Sequence, residues 1–278
     1  MTEPAREALA RVRDRLAAAG CETPEVDAEL LLAHVLDTTR SGVAADGDRA
    51  LTADEAGELE RLAARRAARE PLAYVLGEWG FRRLVLVVDP RVLVPRPETE
   101  IVVERCLALI AGIAEPRVLD VGVGSGAIAL AIADEHPGAR VTGLDLSPGA
   151  LEVARANAAR TGLAVGLGIG DVFFGLPPGP WDLVVSNPPY VRPDEIGQLS
   201  PEVRDWEPRA ALVADGATEA VADGARGVLG PGGALVLEVA DGDAGRIAGL
   251  LRDLGYAEVL VTNDLTGRAR VVEGLAGT

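Results

Sequence analysis

A chain of 278 residues that is 48% hydrophobic carries enough apolar material for a substantial core, yet with 3% aromatic residues that core must be filled by Ala, Val and Leu. The formal net charge is −16 and every cation is an arginine, because the sequence contains no lysine. So acidic a surface repels a phosphate backbone, which argues against a nucleic-acid substrate and favours a partner with a basic face or a cationic cofactor.

Residues 1–75 read as helical throughout, a small all-α domain. Thr23-Pro24 has the form of a cap followed by proline at the first helical position, ahead of the apolar stripe Leu30, Leu31, Leu32 and Val35. Thr52 and Glu55 have capping-box spacing before Leu59 and Leu62, and Pro71 opens a last short helix through Tyr74. Arg65, Arg66 and Arg69 form a basic run that reads as a solvated helix face. Residues 76–96 then change character. Gly77 and Gly80 punctuate, and the β-branched runs Leu84–Val88 and Val92–Val94, separated by Asp89-Pro90, predict a β-hairpin linker.

Residues 97–278 form the remaining domain, opened by a helix over Ile101–Ile110. Strands are predicted at Val118–Val121, Ala139–Leu144, Ala164–Leu167, Leu183–Ser186, Ala234–Val239, Ala257–Val261 and Ala269–Val272. Helices fall between most of them, at Ala127–Glu135, Pro148–Arg160, Thr218–Val228 and Ala244–Leu254. Such alternation implies an α/β fold with a mainly parallel sheet covered on both faces. The last two strands are separated only by Thr262–Arg268, too short for a crossover helix, so they must form a hairpin and the final strand runs antiparallel. A parallel sheet closed by one reversed strand suits a seven-stranded, Rossmann-like methyltransferase-type domain.

Three segments at predicted strand ends carry chemistry. Asp120, Gly122, Val123, Gly124, Ser125 and Gly126 form a glycine-rich turn into a helix, where backbone can pass close beneath a ligand. Asp145 ends the next strand, in the position that accepts from ribose hydroxyls. These features fit a nicotinamide dinucleotide or S-adenosylmethionine about equally. Asp120 leans toward the latter, since an acid there favours an amino-acid ammonium and repels a pyrophosphate. Asp171, with Val172 and Phe173 beside it, offers an acceptor for an adenine amino group and a surface to pack on the ring.

The third segment is Ser186-Asn187-Pro188-Pro189-Tyr190. An amide nitrogen is a poor nucleophile because its lone pair is delocalised into the carbonyl. Two acceptors on its N–H groups would orient it and stabilise the positive charge that develops as it attacks. The Asn187 side-chain oxygen and the Pro188 carbonyl are candidates for that pair. Neither proline brings a competing N–H, and Pro188 forces Asn187 into extended geometry. Tyr190 supplies a flat face for a planar amide or a base.

Together these residues resemble the peptide-chain-release-factor glutamine methyltransferases, the HemK/PrmC family. The resemblance runs from Tyr74–Glu78 through Asp89–Glu100, Gly122–Gly126, Asn187–Tyr190 and Trp206–Arg209 to Asp264–Arg270, in that order. It implies transfer of a methyl group from S-adenosylmethionine to the glutamine of the Gly-Gly-Gln motif in release factors, and so an effect on translation termination. It also implies that residues 1–75 help to hold that partner. By the same resemblance Gly122–Gly126, Asp145, Asp171, Val172 and Asn187 contact the cofactor. Asn187, Pro188, Pro189 and Tyr190 hold the target glutamine, and the Pro95–Thr99 loop, with Pro97 and Thr99, walls the pocket near the reactive methyl. Two positions depart from the family pattern: Val123 stands where Thr is more usual, and Val172 where an aromatic residue often follows the acid.

Other readings stay open on the residues alone. The Asn-Pro-Pro-Tyr segment is shared with adenine-N6 nucleic-acid methyltransferases, which the charge balance disfavours, and a glutamine on a ribosomal protein is a further substrate. Cys21 and Cys106 are too far apart for a metal or disulfide framework, and His34 and His136 are isolated, so no metal site is expected. Residues 1–13 lack the apolar stretch of a signal peptide, and no apolar run reaches membrane-spanning length. A cytoplasmic location with no membrane association is therefore expected.

Overall fold

The computed structural model describes residues 3–277, which fall into two compact units. The first extends to Gly77 and also takes in Leu199–Trp206; the second holds Glu78–Gln198 and Glu207–Thr278.

The first unit is built from α1 (Ala5–Ala18), α2 (Pro24–Val35), α3 (Arg40–Ala45), α4 (Ala53–Ala67) and α5 (Leu72–Leu76). In α1, Ala8, Val12 and Leu16 recur every fourth residue and are buried against Leu31 and Leu32 of α2 and Leu59 and Leu62 of α4. The capping box holds: the Glu55 N–H donates to Thr52 Oγ1 at 3.2 Å and the Thr52 N–H to Glu55 Oε2 at 2.9 Å. Thr23 behaves differently. It precedes Pro24 at the start of α2, but its hydroxyl donates to Asp27 Oδ1 at 2.8 Å rather than capping the helix.

The basic run on α4 is not a solvated face. Arg66 is buried, and its guanidinium donates to Asp27 Oδ2 at 2.7 Å and to Glu202 Oε1 at 2.8 Å. Arg69 donates to both Glu202 oxygens at 2.7 Å, and Arg65 pairs with Glu70. Periodicity gives no warning because the acid that draws these arginines inward lies over 130 residues away in sequence. Burial alone would push the Glu202 carboxyl up, but the hydrogen bonds from Arg69 and Arg66 outweigh it and hold the group at about 2.

In the second unit, β1 (Glu78–Phe81) and β2 (Leu84–Val87) form a separate antiparallel hairpin, with Phe81 opposite Leu84. The expected hairpin between Leu84–Val88 and Val92–Val94 is thus displaced one step back along the chain, and residues 88–98 are loop. Arg82 makes the tight turn at φ +49°, held there because its backbone N–H donates to Glu100 Oε1 at 2.9 Å and its side chain pairs with Glu135.

The main sheet has seven strands in the order β5-β4-β3-β6-β7-β9-β8. They are β3 (Arg117–Val121), β4 (Arg140–Asp145), β5 (Val165–Ile169), β6 (Trp181–Ser186), β7 (Leu229–Glu238), β8 (Ala257–Asn263) and β9 (Ala269–Leu275). β3 to β7 pair in parallel, whereas β9 runs antiparallel to both β7 and β8. The intervening helices are α6 (Thr99–Ile110), α7 (Ala127–Glu135), α8 (Pro148–Thr161), α9 (Pro201–Trp206), α10 (Arg209–Leu212), α11 (Ala217–Arg226) and α12 (Ala244–Asp253). Of these, α9 belongs to the first unit, and neither α9 nor α10 is visible in the sequence pattern. Apolar clusters cover both sheet faces, one containing Val102, Ile132, Leu183 and Val236, the other Leu119, Val184, Leu235 and Ile247. The strand order reverses between β3 and β6, so their carboxyl ends form the switch point at which open α/β sheets bind ligands.

Candidate active site

Register brings the chemistry to one place. Val121 pairs with Ser186, and Ser186 with Leu237, so the residues just beyond β3, β6 and β7 are side by side. The Ser186 hydroxyl, donating to the Val121 carbonyl at 2.7 Å, locks two of these ends together. A cleft opens above them, walled by the glycine turn, Asp145, Asp171, Asn187, Pro188 and Pro189, and on another side by Pro95, Thr99, Pro208 and Ala211.

The glycine turn is open to this cleft because its backbone demands it. Gly122, Gly124 and Gly126 have φ of +78°, +55° and +87°, a region that disfavours any side chain. A Cβ on Gly122 would meet no atom within 4 Å, as expected of a backbone that faces open space. Asp145 fixes the turn, accepting from the Gly124 N–H through Oδ2 and from the Ser147 N–H through Oδ1, both at 2.8 Å. Ser125 and Val123 also line the cleft. Val123, the departure from the family pattern, packs against β4, where a Cβ on Gly143 would come within 2.6 Å of it.

Beside this turn, Asp171 accepts from the Phe173 N–H at 2.9 Å, and Val172 and Phe173 complete the wall. Phe173 is 56% exposed, so an aromatic face stands one residue after Val172, ready to cover a planar group.

Asp120 sits beneath the turn rather than in the wall. It is buried, Oδ2 accepts from the Ala129 N–H at 3.1 Å, and Oδ1 has no hydrogen-bond partner. Burial pushes its carboxyl up to about 7, partly countered by the Ala129 N–H.

At the other end of the cleft, the Asn187 Nδ2 donates to Thr99 Oγ1 at 3.3 Å, and the Thr99 hydroxyl donates to Glu238 Oε2 at 2.6 Å. Tyr190 does not line the cleft. Its hydroxyl lies 3.4 Å from the other Glu238 oxygen, and burial pushes that phenol up to about 12. Pro97 is exposed and also lies outside the wall, whereas Pro95 is buried within it. Burial raises the Glu238 carboxyl, opposed by the Thr99 hydroxyl.

Two supporting residues escape a reading of motifs, and a third lies inside the Trp206–Arg209 segment with no role assigned to it there. Glu238 is one; its signal is a carboxylate closing the otherwise apolar run Ala234–Val239. Asn157 on α8 is fully buried, donating to the Ser125 carbonyl and exchanging hydrogen bonds with the Val87 backbone, which ties the glycine turn to the hairpin. Glu207 is the third, buried and paired with Arg96 of the proline loop, and Pro208 beside it walls the cleft.

This geometry has relatives. Residues 7–77 match the model for a PrmC N-terminal domain and residues 99–202 that for a methyltransferase small domain. Among solved structures, a methyltransferase from Pyrococcus furiosus aligns at a TM-score of 0.52, with 18% identity over 79% of this chain and 100% of that one. A T. thermophilus 16S rRNA methyltransferase aligns at 0.53, with 17% identity over 72% of this chain and 49% of that one. Both are likenesses of fold.

Sequence relatives reach further. The release factor glutamine methyltransferase of Geobacter sulfurreducens is 40% identical over 98% of this chain and 96% of its own length. That of Deinococcus radiodurans is 43% identical over 96% of each. With identity at that level sustained through both units, the chain belongs to the release factor glutamine methyltransferase family.

Proposed function

We propose that this protein transfers a methyl group from S-adenosylmethionine to the side-chain amide nitrogen of the glutamine in the Gly-Gly-Gln motif of peptide chain release factors. One observation carries the reading. The Asn187 carboxamide is pinned through its nitrogen to Thr99, so its oxygen is the free end, in a cleft shared with the glycine turn and Asp145. An acceptor held there suits an amide N–H of the target.

The residues fit the cofactor. The glycine turn offers bare backbone, Asp145 retains lone pairs for ribose hydroxyls, and Asp171 with Val172 and Phe173 suits an adenine. The unpartnered oxygen of Asp120, beneath the turn, is free to meet an ammonium, whose charge would favour the ionised carboxylate over the protonated form that burial promotes. Bound S-adenosylmethionine supplies the methyl as an electrophile already activated by its sulfonium.

The chain's own work is to hold the nucleophile. Asn187 Oδ1 and the Pro188 carbonyl accept from the two amide N–H groups, draw electron density toward nitrogen and stabilise positive charge there during attack. Once methylated the nitrogen would be cationic, and the two oxygens would hold its protons until one is lost to solvent. No strong base is required. Pro95, Thr99 and Pro189 line the cleft and would narrow the space around the reacting atoms, limiting competing attack by water.

A single glutamine offers few contacts, whereas recognition of a folded partner takes about 800 Å² per side. We assign much of that surface to the helical domain of residues 1–75, whose unit also takes in Leu199–Trp206, followed by the hairpin segment over 76–96 and the methyltransferase domain over 97–278. The match of residues 7–77 to a domain model of its own supports this division. The proposed substrate places the protein in the cytoplasm, and among the described residues no helix is long and apolar enough to cross a membrane.

Mass spectrometry of release factor after incubation with the protein and labelled S-adenosylmethionine tests the reading. The expected product carries one methyl on the Gly-Gly-Gln glutamine. Label found only in ribosomal protein or nucleic acid would overturn it.

A further inference from the structure

We propose that Glu238 sets the direction in which the Asn187 carboxamide faces, acting through Thr99, and so decides whether the cleft presents an oxygen or an N–H to the substrate. This rests on the reading of a glutamine amide as the methyl acceptor.

The placement of single protons decides the orientation. Glu238 ends β7 next to Leu237, which pairs with Ser186, so its carboxylate lies under Asn187. It is 1% exposed, and a carboxylate can only accept hydrogen bonds. Thr99, at the first position of α6, has one hydroxyl proton, and the 2.6 Å contact gives it to Glu238 Oε2. The Thr99 oxygen can then only accept from its remaining neighbour. Asn187 has both a donor and an acceptor end, and the donor end meets this demand at 3.3 Å. Its oxygen is thereby directed away from Thr99 and toward the substrate. With the carboxamide reversed, an N–H would confront the N–H of the target amide, and the transition state would lose an acceptor.

An asparagine carboxamide is nearly symmetrical in shape, so packing alone cannot choose between the two orientations. The chain Glu238–Thr99–Asn187 does so by polarity. Glu238 touches no reacting atom and is a positioning residue.

The test uses the full-length protein with release factor as substrate. Glu238→Leu removes the carboxylate, so the Thr99 proton has only the Asn187 oxygen to bond, which reverses the carboxamide. Thr99→Val removes the link while keeping shape. Each should lower kcat by up to about a hundredfold, the scale of one lost transition-state hydrogen bond, with S-adenosylmethionine affinity unchanged by calorimetry. The two together should cost little more than either alone, because they interrupt one chain. Thr99→Ser, which keeps the hydroxyl, should recover most of the rate lost in Thr99→Val.

A competitor separates polarity from mere support. Release factor carrying glutamate in place of the target glutamine offers only acceptors, so it should inhibit Glu238→Leu more tightly than the unsubstituted enzyme. Unchanged kcat in Glu238→Leu and Thr99→Val would overturn the proposal. So would a loss of rate with unaltered glutamate competition and no recovery in Thr99→Ser, which would mark a structural role. An unsubstituted enzyme that leaves release factor unmethylated would instead remove the substrate reading, and this inference with it.

Discussion

The helical unit and the sheet unit both bury charge, and they treat it in opposite ways. In the helical unit Asp27, Arg66, Glu202 and Arg69 form a closed set, in which every formal charge meets an opposite one within 2.8 Å. The sheet unit does the same where charge serves only structure, as in the pairs Arg105–Glu273 and Arg96–Glu207. At the strand ends facing the cleft the pattern changes. Among the described residues Asp120 keeps one oxygen without a partner, Glu238 is met by two hydroxyls, and Asn187, in the cleft wall, is bonded through its nitrogen. Closed networks hold the fold; in the cleft, polar groups left with spare valence are ones a ligand can complete.

The contrast is broken most directly from the closed side. Arg66→Met leaves Asp27 buried with only the Thr23 hydroxyl and removes one of the two arginines on Glu202. Loss of one member of a buried pair costs about 3–5 kcal/mol, which a urea titration would register. S-adenosylmethionine binding should be unaffected, because every cleft residue lies in the other unit. A loss below about 1 kcal/mol would show the network to be only surface-like.

Asp120 sharpens the open side through pH. Its carboxyl is raised from an ordinary 3.8 to about 7, chiefly by burial. The folded protein therefore binds the proton more tightly than the unfolded chain does. Its contribution to stability is fully present below about pH 3.8 and is lost as pH rises through about 7. Asp120→Asn keeps an oxygen for the Ala129 N–H but cannot ionise, so it should remove that loss. Without cofactor, the variant should gain on the parent by at most about 4 kcal/mol between pH 4 and pH 8. Parallel stability curves would place the ionised form at no disadvantage.

Asn187→Ala addresses the cleft's free acceptor. Turnover should fall about a hundredfold, about 3 kcal/mol, with cofactor affinity largely retained. Single-turnover rates near those of the parent would remove Asn187 from transition-state stabilisation.

What the sequence makes legible follows the range of each constraint. The glycine turn and Asn187–Tyr190 announce themselves because their backbone requirements are local: positive φ at Gly122, Gly124 and Gly126, and prolines that fix their predecessors. The parallel sheet and its reversed final strand are legible too, since strand-helix alternation and the short Thr262–Arg268 connection constrain topology. The hairpin lies within residues 76–96 but pairs Leu84–Val87 with Glu78–Phe81 instead of Val92–Val94, because Glu78-Trp-Gly-Phe81 shows no alternation and the turn uses Arg82 in place of glycine, compensated by Glu100 and Glu135 elsewhere in the chain. Glu238, Asn157 and Glu202 act on residues 32 to 139 positions away, and no local pattern records such pairings.

Asp145 tests how far spare valence can be read in a residue that is already bonded. Both of its oxygens accept backbone N–H groups, from Gly124 and Ser147, yet each oxygen has a second lone pair. Ribose hydroxyls would fill those positions with charge-assisted bonds, each about 1.5–3 kcal/mol. Asp145→Ala removes both functions, so a fall in affinity alone would mix a missing ligand contact with a glycine turn set loose. Asp145→Asn separates them. Its amide has one oxygen for the Gly124 N–H, while its nitrogen end would face the Ser147 N–H and would lack the charge that strengthens a ribose contact. If the ribose contact contributes more than the turn does, Asp145→Asn should lose most of the affinity that Asp145→Ala loses, without the enthalpy cost of reordering the turn. If turn geometry dominates, Asp145→Asn should bind several-fold more tightly than Asp145→Ala. Calorimetry on both variants decides between these, and unchanged affinity in Asp145→Ala would move the ribose contact to another residue altogether.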